Sequence, residues 1–182
     1  MKQLIFILLF ACCTCTLLKA QDGPDKRIFV KFNIEYLAGL SYNIEGDEGL
    51  FDYDSFYGKN LEIGCGYNFT KQFSTSLNIG ANRYEKLSAN TFPITIQACY
   101  YLKPKLNSFF GTLKAGPQIK FSDASDKGYV LAVNLGRRFK IKNNFAAKAY
   151  VGFNYQKTME EYVNMGKVNR NSLVFGVEIP VF

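Results

Sequence analysis

The chain has 182 residues, with 12 Tyr, 17 Phe, no Trp and no His, and 22 Lys and Arg against 15 Asp and Glu. Without histidine, Ser-His, Cys-His and His-metal chemistries are excluded. An apolar fraction of 48% with no long apolar run after residue 20 excludes a helical membrane span and leaves one domain of interleaved apolar and polar residues, as in a membrane β-barrel or a soluble β-sandwich.

The N-terminus reads as an export signal. Lys2 supplies a positive n-region, Leu4–Ala11 an apolar core, and Leu18-Lys19-Ala20 a cleavage site before Gln21. Residues 1–20 are assigned to a cleaved signal peptide and 21–27 to a polar leader. A lipoprotein box at Leu9-Phe10-Ala11-Cys12, with Cys12 acylated, is disfavoured by the bulk of Phe10. After cleavage Cys65 and Cys99 remain. Their strand phases place them on opposite faces, so no disulfide between them is expected.

From Ile28 onward the sequence alternates with period two. The first strand covers 28–41, with Val30, Phe32, Ile34 and Tyr36 on one face and Lys31, Asn33, Glu35 and Leu37 on the other. A loop over 42–56 follows, then a strand over 57–70, in which Leu61, Ile63 and Cys65 alternate with Asn60, Glu62 and Gly64. Lys71-Gln72 turns into a third strand, 73–84, and 85–90 is a loop. Thr91–Phe121 holds two long strands joined by a Lys-Pro-Lys turn. Ile94, Ile96, Ala98 and Tyr100 lie on one face of the first, Thr95, Gln97, Cys99 and Tyr101 on the other. Phe109, Gly111, Leu113 and Ala115 oppose Phe110, Thr112 and Lys114 in the second. The remaining strands are 129–141, 145–157 and 169–182, separated by loops at 122–128 and 158–168 and a turn at 142–144. Alternation this long exceeds the roughly five or six residues of a soluble strand and suits a tilted bilayer crossing of about 9–11.

Eight strands with alternating connection lengths predict an all-β, antiparallel, up-and-down transmembrane barrel. The short turns lie in the periplasm with both termini, and the longer loops are extracellular. Aromatic residues gather near strand ends, where amphipathic rings favour the membrane boundary. Tyr67, Phe69, Phe73, Tyr100, Tyr101, Phe109, Phe139 and Phe145 fall on the periplasmic side. Tyr42, Phe56, Tyr57, Tyr84, Phe92, Phe121, Tyr129 and Tyr155 fall on the outer side. The short turns are basic (Lys71; Lys103 and Lys105; Lys140 and Lys142), whereas the first long loop is acidic.

Lys or Arg on the lipid face at the bilayer midplane costs roughly 2–4 kcal/mol and little near the interface. The faces with Lys31, Glu35, Glu62, Lys114, Arg138, Lys148 and Glu178 therefore point inward, forming a polar lumen network. Arg137 is tolerated on the lipid face because it sits near the periplasmic end. Eight strands enclose a space that side chains can fill. Glycines 64, 66, 80, 116, 136, 152 and 176 make room for Gln97, Gln118, Arg138 and Tyr150. Glu35 and Glu178 are expected to pair with some of Lys31, Lys148 and Arg138, because a buried unpaired carboxylate is costly. A plugged barrel without a wide pore follows.

Two stretches resemble a known group. FPITIQACYYLKPKLNSFFGTLKAGPQIKF and GRRFKIKNNFAAKAYVGFNY resemble the small Gram-negative outer-membrane β-barrel proteins of the outer membrane protein beta-barrel domain, or PorT-like, group. The resemblance spans about 28–182 and implies a barrel of the outer membrane, in contact with lipid and lipopolysaccharide, rather than a particular activity. The final Phe182 resembles the signal read by the barrel-assembly machinery. The apolar phase here, Val181, Ile179, Val177 and Phe175, is one residue out of step with that signal, and a bulge at Pro180 would restore it.

No cofactor, metal or nucleic-acid site is expected. Asp52 and Asp54 in the acidic loop 45–56 lack calcium-loop spacing and read as a solvated loop. The turn lysines could meet anionic headgroups or periplasmic partners, but read first as ordinary turn residues. Glu35 and Glu62 could form a catalytic carboxylate pair, but lumen ion pairing is the simpler reading and a filled lumen admits no substrate. The expected function is a non-enzymatic envelope barrel, structural or binding a partner through its loops and turns. The alternatives are a conduit for small solutes or hydrophobic ligands, a PorT-like accessory of protein secretion, and a soluble secreted barrel with its apolar faces inward.

Overall fold

The period-two alternation becomes eight strands in the computed structural model, which describes residues 27–44, 57–85, 89–105, 107–119, 125–142, 145–159 and 167–181. The strands are β1 (Ile28–Ile44), β2 (Tyr57–Asn68), β3 (Phe73–Tyr84), β4 (Ala89–Tyr101), β5 (Ser108–Ile119), β6 (Ser125–Lys142), β7 (Phe145–Met159) and β8 (Lys167–Val181). Each pairs antiparallel with its sequence neighbour, and β8 returns to β1, closing an up-and-down barrel. The signal segment, residues 21–26 of the leader, the acidic loop 45–56, Phe121 and Phe182 lie outside the described residues.

Register fixes the phase. Glu35 stands opposite Asn60 on β2 and Gly176 on β8, while Ile34 stands opposite Leu61 and Val177. The first row points inward and the second outward. Every strand exposes large apolar side chains: Ile34, Leu61, Leu77, Ile96, Leu113, Leu135, Val151 and Phe175 ring the outside, with Leu135 67% exposed. The buried set is mostly polar. Burying a large apolar side chain is worth about 1.5–3 kcal/mol, so a belt of this extent is stable only against another apolar phase. This distribution rejects the soluble-barrel reading, which required the apolar faces inward.

The outer ends of the strands differ from expectation. Asn90 and Thr91 pair in parallel with Ser125 and Asp126, so β4 and β6 meet beyond the end of β5 at Ile119. This extends both strands into segments read as loops. The third connection contracts to 85–88, shorter than the 102–107 turn at the opposite end, and the fifth to 120–124. Likewise Met159 pairs with Lys167, and Ile44 with Val168, so β7, β8 and β1 run further than their alternation suggested. The contrast in loop length survives at 45–56 and 160–166 only.

Prolines interrupt two ladders. Pairing of β3 with β4 skips from Ile79–Ile94 to Asn82–Thr91 around Pro93, and that of β4 with β5 skips from Pro93–Gln118 to Ile96–Ala115 around Pro117. Neither proline has an N–H to donate. No bulge at Pro180 restores the terminal phase, which weakens the likeness to the assembly signal: β1 and β8 stay in register from Val30–Val181 to Leu37–Val174, and the shift falls at Gly39/Ser41. Pro180 lies past the last β7–β8 pair, Lys148–Glu178, where its missing N–H breaks no ladder bond to β7.

Candidate functional site

The inward residues assemble into a column of polar groups. Toward the end where β1 begins, Lys31 Nζ lies 3.1 Å from Glu178 Oε2 and donates to Gln97 Oε1 at 2.7 Å. Lys148 Nζ reaches the other carboxylate oxygen of Glu178 at 2.5 Å. Below this group Tyr101 and Phe110 turn inward and present their rings to Lys148, at 5.1 and 5.3 Å. Arg138 stacks over Tyr101 at 5.3 Å.

Midway along the lumen Lys114 is held between two carboxylates, with Nζ 2.9 Å from Glu35 Oε1 and 2.8 Å from Glu62 Oε1. Asn33 and Asn60 each donate to both carboxylates, at 2.6 to 3.1 Å. The Tyr150 hydroxyl sits 2.6 Å from Asn33 Oδ1 and 2.8 Å from Glu35 Oε1. Its ring lies over Gly176, where a Cβ would collide with it. The far end holds a third group. Tyr84 donates to Gln156, Gln156 to Thr91 at 3.0 Å, and Arg170 to Thr158 at 3.0 Å while lying over the Tyr84 ring at 5.2 Å.

The three lysines and three glutamates balance in charge, yet each group is asymmetric. Glu178 serves two lysines, and Lys114 serves two glutamates. A buried ion is tolerated only when its partners and further hydrogen bonds compensate its lost hydration. Lys31, Glu35, Lys114 and Glu178 expose 2% or less of their surface, so the interior is occupied by these side chains. Glu35 and Glu62 are brought together, but around an ammonium group that neutralises them rather than a space for substrate. No cluster of His, Cys, Asp and Glu suited to a metal occurs among the described residues.

Of the predicted network, Lys31, Glu35, Glu62, Lys114, Lys148 and Glu178 are joined directly. Glu178 has the expected partners, whereas Glu35 pairs with Lys114 instead of Lys31, Lys148 or Arg138. Arg138 finds an aromatic ring rather than a carboxylate. The aromatic sorting needs two corrections. Tyr84 and Tyr101 are buried in the lumen, because each falls in the inward phase of its strand. Phe69, Phe73, Tyr100, Phe109 and Phe139 are exposed near the end where β1 begins, with Tyr67 half-buried edge-on to Phe69 at 5.0 Å. Tyr129 and the half-buried Tyr155 stand 5.9 Å apart near the far end. The side chain of Phe145 lies outside the described residues. Arg137 is exposed and lies 5.5 Å from both the Phe109 and Phe139 rings, a cation–π arrangement that suits its interfacial place. Sequence reasoning turned Asn33 and Asn60 inward with Glu35 and Glu62 without naming them in the network, and it missed Arg170, whose phase, shared with Ser172, was the available signal.

At the exposed far rim Lys59 donates to Glu85 at 2.8 Å. That hydrogen bond and the lysine's charge hold the Glu85 carboxyl below its usual range. Lys71, Lys103, Lys105 and Lys140 are exposed at the opposite rim.

No family model and no curated protein matches the chain. Among solved structures it is similar to Neisserial surface protein A, with a TM-score of 0.58 and 15% identity over 84% of this chain and 96% of that one. It also aligns with OprG from Pseudomonas aeruginosa (TM-score 0.47, 13% identity, 85% and 96% covered). AlkL in lipid bilayers aligns at a TM-score of 0.48, 11% identity, and 90% and 94% coverage. The last two scores are too low to bear on the argument. The first carries the fold, a closed antiparallel barrel of eight strands. Its apolar exterior and charged interior suit such a barrel to crossing a lipid bilayer.

Proposed function

We propose that this barrel is non-enzymatic and sealed, and that it acts in envelope structure or as a docking body whose loops and turns meet a partner. The observation that carries this reading is the lumen plug centred on Lys114, Glu35 and Glu62, buried midway along the barrel. Liposome uptake of small sugars and amino acids tests it: vesicles holding the folded protein should match empty vesicles, and solute-dependent swelling would contradict it.

A conduit for hydrophobic ligands has one observation in its favour, the ladder breaks at Pro93 and Pro117. Gly116 speaks against an opening there, since β5 packs so closely on β4 that a Cβ would meet the Ile94 carbonyl. A secretion-accessory role of the PorT-like kind would use the basic rim at Lys71, Lys103, Lys105 and Lys140. Crosslinking in cells followed by pull-down would recover secretion components if that role is real.

A further inference from the structure

We propose that the outer wall at Gly111 is a seat for one acyl chain of an anionic phospholipid, with its headgroup held by Lys103, Lys105 and Lys140. The inference rests on the membrane reading above and on the β1-start end facing the periplasm. A groove of about 590 Å³ runs up this wall from Leu102 and Phe109 to Leu113 and Val133, between Tyr100 and Leu135. That volume falls within the roughly 300–1,000 Å³ usual for ligand sites.

The groove exists because of one residue. Gly111 faces outward, in phase with Phe109 and Leu113, opposite Tyr100 on β4 and Leu135 on β6. At inward glycines such as Gly64, Gly80 and Gly176 an added Cβ would come within 3.0 Å of a neighbour, so packing requires glycine there. At Gly111 the nearest atom to such a Cβ is Leu135 Cδ2 at 3.4 Å. Internal packing therefore does not demand this glycine, and the space it leaves opens to lipid.

Charge selects the headgroup. The sequence has no Asp or Glu between Glu85 and Asp123, or between Asp126 and Glu160, so β4, β5 and most of β6 and β7 form an acid-free wall. Leu102, which lines the groove, is followed directly by the turn that bears Lys103 and Lys105. Asn107 accepts the Lys140 backbone N–H at 3.1 Å, tying the turn that bears Lys103 and Lys105 to the end of β6. Arg137, stacked on Phe109 and Phe139, adds a cation beside the groove. Clustered cations beside an apolar surface attract anionic lipid specifically.

Native mass spectrometry of the full barrel in detergent, with added phosphatidylglycerol, phosphatidylcholine or lipopolysaccharide, tests the proposal. Phosphatidylglycerol adducts should persist on the wild-type protein in preference to phosphatidylcholine. Gly111→Leu should weaken them about tenfold, while Lys103→Gln with Lys105→Gln should equalise the two phospholipids. Equal retention of both on wild type, an unchanged Gly111→Leu, or retention of lipopolysaccharide alone would overturn it. The heat-dependent mobility shift of each variant reports folding. If Gly111→Leu does not fold, the headgroup preference and its loss in the double lysine variant decide. A wild-type protein without that shift would instead contradict the membrane reading.

Discussion

Lys114 and Glu35 meet 2.9 Å apart although β5 and β1 are diametrically opposite in the eight-stranded ring. Their contact spans the full width of the lumen, and Tyr84 on β3 and Gln156 on β7 span it again near the far end. The walls are thus cross-braced by polar groups that share the interior with a smaller buried apolar cluster.

Within each charged group the single ion should matter more than either of the paired ones. Lys114→Met leaves Glu35 and Glu62 facing each other without a cation, and should cost roughly 3–5 kcal/mol. Glu62→Gln keeps the Lys114–Glu35 pair and should cost clearly less. The order inverts in the other group, where Glu178→Gln strands Lys31 and Lys148 and should exceed Lys31→Met. Equilibrium urea unfolding from lipid vesicles measures all four.

The lipid-facing assignment predicts a dependence on depth. Leu113→Lys, toward the middle of the belt, should cost roughly 2–4 kcal/mol, and Leu102→Lys, at the turn, about 0–1. The same vesicle unfolding assay reads both. Equal costs would mean that Leu113 does not face the bilayer core.

Tyr84→Phe removes a buried hydroxyl that bonds Gln156 and should cost about 1–3 kcal/mol. Tyr129→Phe, on the exposed outer face, should change stability little. Unfolding midpoints of the two variants separate a lumen tyrosine from an interfacial one.

Alternation alone made the walls legible. In β4 and β5 every inward and outward residue follows from parity, and the cost of charge in lipid chose which parity faces out. Being aromatic and near strand ends, Tyr84 and Tyr101 read as membrane-boundary residues. Their parity with Asn82 and Cys99 placed them inside, and parity was the better guide. The Glu35–Lys114 contact was not legible, because it depends on the tilt and closure of the whole ring. The parallel meeting of Asn90 and Thr91 with Ser125 and Asp126 was equally hidden, since it joins strands that are not neighbours in sequence.

At the far rim Glu85 has a depressed pKa because Lys59 donates to it. Its contribution to stability is present above the unfolded carboxylate value, about 4.3, and is lost as pH falls through the lower folded value. Solvent exposure and salt screening keep that contribution small. An NMR titration should show the Glu85 midpoint returning to the ordinary range in Lys59→Gln.

The sealed lumen is tested most directly by single-channel recording of the folded barrel in planar lipid bilayers. The wild-type protein should insert without discrete conductance steps, and combined Lys114→Ala, Glu35→Ala and Glu62→Ala should open a small channel. Porin-like steps from the wild-type barrel would contradict the account.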